Sequence, residues 1–355
     1  MKNREDIIQY LQRFDLGKEN AIEFDEDAIL ADYQKDDGNQ SLAIKILSVI
    51  GGILASLAFL GFLFITGIYN SEISLIVTGL IFIYGAVFLI KFYDKILVDT
   101  ISISIYIIGL ILVGMACGNL FSSENIICYI CIITAVISLV LVQSFILSFI
   151  NIVIINGSLI SLMLLNNLPN LIHFYISILA ILLSFILLKE AKFLTHSRAI
   201  SKLYNPMRTA LTFTFIFLII LLKNDSMTIP NKLIWTSSVI HIGLILFLIS
   251  SLVKRLNVNN KKYELGIYII CFLTLAPTAI SPGISGSLLL LLLSFLVNYR
   301  TGFVLAALSF IYFISEFYYD LNFTLLTKSI LLFVTGILFI GLYWLISKKS
   351  THEKI

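Results

Sequence analysis

Twelve long apolar runs follow one another from Leu42 to residue 346, with only short polar breaks between them. Their approximate limits are 42–68, 72–90, 98–118, 125–142, 146–165, 170–188, 208–222, 233–253, 264–280, 283–298, 302–318 and 323–346. A helix needs about 20 apolar residues to cross a hydrocarbon core. Runs of this length therefore predict an all-α, polytopic transmembrane helix bundle of about 12 spans. Segments 208–222 and 283–298 are short for a full crossing. Either could be a half-helix or a re-entrant piece, which leaves the count open by one or two.

Composition agrees: apolar residues make up 59% of the chain, charged residues 13%, and the mean hydropathy is +1.00. Soluble domains carry roughly 45–50% apolar and about 25% charged residues, so that class is excluded. Charge divides the chain further. Residues 1–41 hold five Lys/Arg against eleven Asp/Glu, while residues 42–355 hold 19 basic against 10 acidic residues. Residues 1–41 read as an acidic cytoplasmic segment with helical spacing at Ile7, Ile8, Leu11 and Phe14, or as a partly ordered acidic tail. Residues 42–346 read as the bundle, and residues 347–355 as a basic cytoplasmic tail. The start of the chain has no apolar stretch of the kind a cleaved signal needs.

With the N-terminus inside, the inner loops carry Lys91 and Lys95, then Lys189, Lys192, Arg198, Lys202 and Arg208, then Lys254, Arg255, Lys261 and Lys262, then Arg300. The outer loops carry only Lys223 and Lys232. Basic residues collect on the cytoplasmic side of membrane proteins. The expected location is thus a bacterial inner (cytoplasmic) membrane with both termini in the cytoplasm. The basic balance reports orientation in the lipid bilayer and not binding to nucleic acid.

Few residues could carry chemistry. Glu316, Asp320 and Lys328 flank a turn centred near Asn322. Glu316 and Lys328 are each six residues from that turn, so an antiparallel hairpin sets them at equal depth, and an ion pair between the two helices is natural. Either it locks the hairpin, which is the default, or Glu316 and Asp320 line a polar cavity as in a coupled carrier. The stretch LAPTAISPGISGS at 275–287 contains Pro277, Ser281, Pro282, Gly283 and Gly286. Prolines remove donors and glycines permit unusual dihedrals, so this is either a broken helix of the kind that forms transporter sites or an ordinary outer turn. His241 falls inside a span and reads more simply as a packed core residue than as a ligand. His173 and His196 lie at opposite ends of the topology, and Cys128 and Cys131 have no further ligand nearby, so no metal site is expected. Asp99 is expected to cap the third span. No protease, hydrolase or nucleotide-binding motif occurs, so neither an enzyme nor a cofactor is expected.

Two stretches carry a resemblance. One is SLAIKILSVIGGILASLAFLGFL at 41–63; the other is PGISGSLLLLLLSF followed by EFYYDLNFTLLTKSILLFVTGILFIGL at 316–342. In the second, Tyr318, Tyr319, Thr324, Leu325, Leu326, Lys328, Ser329 and Gly336 stand at matching positions. The chain resembles the bacterial integral-membrane family catalogued as domain of unknown function 4401. The likeness covers 41–346, although its middle is merely hydrophobic and its first span lacks the more usual Trp. The resemblance implies a membrane protein and no assigned activity. The expected function is a transporter of unknown substrate. The alternative is a non-enzymatic scaffold or partner subunit that meets another membrane protein through residues 1–40.

Overall fold

The computed structural model describes residues 71–93, 96–121, 123–222, 233–255 and 261–320, with scattered positions in 51–69 and 326–340. The chain divides into two units, Met1–Thr66 and Gly67–Ile355. The first span, the acidic segment 1–41, the last span with its turn at Asn322, and the tail 347–355 lie wholly or largely outside the described residues.

The described part of the second unit is helical, with no strand among the described residues. Its helices are α1 Glu72–Phe92, α2 Ile96–Phe121, α3 Glu124–Leu141, α4 Phe145–Leu165, α5 Leu171–Leu188, α6 Glu190–His196, α7 Arg198–Leu221, α8 Ile234–Arg255, α9 Lys261–Leu275, α10 Pro282–Leu296 and α11 Arg300–Asp320. A 3₁₀ turn, Ala276–Ile280, joins α9 to α10. Eight of these helices are long and apolar enough to cross a membrane. Serines set several starts: the Ser71, Ser144 and Ser197 side chains accept hydrogen bonds from the amides of Ser74, Leu147 and Ile200.

Segment 208–222 is not a short piece. It is the second half of α7, 24 residues long with Pro206 inside it. Lys202, Asn205 and Arg208 make its first half look like loop, yet the helix begins at Arg198, where the Ser197 side chain caps it. The other short segment stays short, since α10 has 15 residues. Asp99 sits in the first turn of α2, past its start at Ile96, and so does not cap it. The carboxylate still suits the positive end of the helix.

Two cores hold the bundle. The first joins α1, α2 and α4 around Ile83, Ala86, Tyr106, Val113 and Leu147. Here α1 and α2 cross at glycines: a Cβ on Gly79 would lie 2.9 Å from the Gly109 carbonyl oxygen, and one on Gly109 would lie 2.7 Å from that of Gly79. Small residues at a crossing let membrane helices approach backbone to backbone. Beside it the buried Tyr106 hydroxyl meets Asn151 Oδ1 at 2.8 Å and Ser138 Oγ at 3.1 Å, tying α2 to α4 and α3. Tyr106→Phe would strip both partners in a dry interior and is expected to cost about 1–2 kcal/mol, read as a lowered melting temperature in detergent. An unchanged melt would mean that water serves these groups.

The second core is built from α5, α7, α8, α10 and α11, with Ile176, Leu183, Phe215, Leu248, Leu290 and Phe313 among its buried members. It brings the ends of α5, α8 and α10 together with the starts of α7 and α11. That end carries Lys189, Lys192, Lys202, Lys254 and Arg300. The outward faces remain apolar, as at Phe217, Phe247, Leu308 and Ile311. Large apolar surface of this extent is what a lipid bilayer covers.

Candidate functional site

Helix α10 rises about 22 Å over its 15 residues, against a hydrocarbon core of about 30 Å. Its C-terminal end lies level with Arg300 and Lys254, at the charged boundary, so its first residues fall within the apolar thickness. Ser281, extended at φ −122° and ψ 95°, precedes it, and no side chain caps the helix. The first helical bond, from the Ser285 amide to the Ser281 carbonyl, is 3.2 Å. Pro282 has no amide hydrogen, so Gly283 and Ile284 present the uncapped donors and the positive end of the helix dipole. The turn itself faces outward, with Pro277 and Ile280 exposed, whereas Ser281, Pro282, Gly283 and Gly286 are buried.

His241 of α8 meets this start. It is fully buried, its Nδ1 lies 3.2 Å from Ser285 Oγ, and its ring packs edge-on against Phe215 of α7 at 5.3 Å. Ser285 Oγ also donates to the Pro282 carbonyl at 3.3 Å. Which ring nitrogen of His241 carries the hydrogen depends on the tautomer; with the Ser285 proton on the Pro282 carbonyl, Nδ1 would donate and Nε2 would present a lone pair. Among the described residues Nε2 has no hydrogen-bond partner, and neither does Ser238 Oγ. Ser238 precedes His241 by three residues and shares its face of α8. Unpaired polar atoms in a dry interior cost about 1–3 kcal/mol each, so Nε2, beside an uncapped helix start, is a candidate point of contact for a ligand or a water.

Glycines close the arrangement. A Cβ on Gly286 would lie 2.6 Å from Ile219 Cδ1 and 3.2 Å from His241 Cε1. At Gly283 the Phe313 ring of α11 occupies the space a side chain would need. Two separate sequence signals, His241 and the SPGISG stretch, thus fall in one place. Glu316, one turn beyond Phe313, is half-buried on α11. The Asp320 side chain and Lys328 lie outside the described residues, and with them the proposed hairpin pair.

A second charged cluster had no counterpart in the sequence reading. Arg208 of α7 pairs with Glu190 of α6 at 3.2 Å. Its guanidinium lies 5.1 Å from the Tyr204 ring centre and 4.4 Å from that of Tyr299. Tyr299, in the α10–α11 turn, also bonds Thr209 at 3.0 Å. The only available signal was the i, i+4 spacing of Tyr204 and Arg208, which a basic loop hides.

The family described as Domain of unknown function (DUF4401) matches residues 41–349. The chain belongs to that family. In this DUF4401 protein the matched stretch includes His241, the α10 start and the Arg208 cluster. No curated protein and no solved structure matches the chain.

Proposed function

We propose that this protein is a carrier and not an enzyme, working in a bacterial inner membrane with both termini in the cytoplasm. Its substrate meets the start of α10. The observation that carries this is the pairing of an uncapped helix start with the unpartnered Nε2 of His241 at membrane depth. Helix amides offer donors to an anionic group, and Nε2 offers an acceptor to a proton. A small weak acid, or an anion accompanied by a proton, supplies both. Broken helices form such sites in secondary transporters. In the described state Phe313 and Ile219 fill the approaches, so loading requires α10 to part from α11 or α7.

A panel of radiolabelled acetate, lactate, phosphate and chloride, offered to proteoliposomes under an inward proton gradient, tests this. Uptake of at least one solute is expected. His241→Leu should lower it on the order of tenfold or more while the protein elutes unchanged. If no solute enters faster than into empty vesicles, the carrier reading fails. The scaffold reading, favoured by the close packing at Gly283 and Gly286, would then predict a membrane partner lost on deleting residues 1–40.

A further inference from the structure

A cavity of about 380 Å³ opens at the basic end of the bundle, walled by Leu187 of α5, Glu190 and Leu194 of α6, Ser251 of α8 and Leu296 of α10. A second, almost wholly apolar hollow of about 220 Å³ adjoins it, sharing Leu188 and Leu248, and runs between α5 and α8 past Phe185 and Phe247 to Lys189. Phe185 and Phe247 are both more than half exposed on the lipid-facing side. The two hollows differ in what they suit. The larger is bounded by the last turns of α5, α8 and α10, whose carbonyl ends carry partial negative charge. Glu190 also lines it, with Oε1 engaged by Arg208. Both features attract a cation. The smaller hollow suits an alkyl chain, and Lys189 lines it beside the larger hollow.

We infer that these adjoining hollows bind an amine-bearing phospholipid of the phosphatidylethanolamine type. Its ammonium rests on Glu190, its phosphate lies by Lys189, and one acyl chain runs between Phe185 and Phe247. Adjacent residues of opposite charge match a zwitterionic headgroup, in which phosphate and ammonium are also neighbours. A purely anionic lipid could pair with Lys189 but has no ammonium to set against Glu190 and the helix C-termini. This site is separate from the His241 site, and neither reading depends on the other.

The test uses the full-length protein in mild detergent, given equimolar phosphatidylethanolamine and phosphatidylglycerol with identical chains and read by native mass spectrometry. Preferential retention of one phosphatidylethanolamine per chain is expected, by about fivefold. Glu190→Gln should bring that preference close to one. Because that change also removes the partner of Arg208, two cavity-filling variants that leave the ion pair intact, Ala191→Phe and Ser251→Leu, make an independent demand. Each should lower retention of the lipid while melting as the parent does. Soluble phosphoethanolamine in excess should compete poorly, since it has no chain for the groove. Equal retention of both lipids, unchanged retention in both cavity-filling variants, or full competition by the soluble headgroup would overturn the inference.

Discussion

Replacing Gly109 with leucine is expected to destabilise the protein by about 3 kcal/mol or more. The new Cβ would sit 2.7 Å from the Gly79 carbonyl oxygen, 2.8 Å from Ile83 Cγ1 and 3.0 Å from the Ile83 amide nitrogen. Two of those three atoms are backbone, which cannot turn aside as a side chain can. The α1–α2 pair must therefore separate along its length, and Ile83, Val113 and Tyr106 lose their packing together. In a membrane this loss is not offset by water, because helix association rests on close packing and hydrogen bonds. The expected reading is a fall in melting temperature on the order of 5–10 °C, followed in detergent by size-exclusion. Gly85 and Gly157 provide the comparison, because a Cβ at either meets nothing within 4 Å. Leucine there should leave the melt within about 2 °C of the parent. A Gly109→Leu protein that melts with those controls would show that the helices cross elsewhere.

Hydropathy made most of the architecture legible. Ten of the twelve expected segments fall in described helices, because a run of apolar side chains at membrane depth has few other ways to satisfy its backbone. Packing partners were not legible, for the same reason. Helices such as α1 and α5 are apolar nearly all round, so no stripe in the sequence says which face meets a neighbour. His241 and Ser285 are 44 residues apart, and nothing in either segment points to the other. The Arg208 cluster was missed for a different reason. Basic residues at helix ends usually mark orientation, so a partly buried arginine looks like a loop residue until Glu190 and two tyrosine rings surround it.

That arginine supports the other large expected effect. Arg208→Ala should cost about 2 kcal/mol, the ion pair being partly screened by solvent and the two ring contacts adding to it. The Glu190 carboxylate, only about a third exposed, would lose its ion pair. The Tyr204 ring, fully buried, and the Tyr299 ring would lose the cation held against them at 5.1 and 4.4 Å. Arg208→Lys should recover roughly half of this, because an ammonium can face Glu190 but cannot stack as a plane on the tyrosines. Thermal melts of the two variants beside the parent decide the point. Equal melts for all three would mean that water screens the pair and that the cluster bears no load. The position of the cluster also bears on the proposed carrier. Through Tyr299 it ties α6 and α7 to the turn after α10, at the end opposite the uncapped start. On the proposed carrier reading, motion of α10 that opened the His241 site would be a swing about its clasped end. Arg208→Ala should release that pivot, so transport should fall even at temperatures where the variant remains folded.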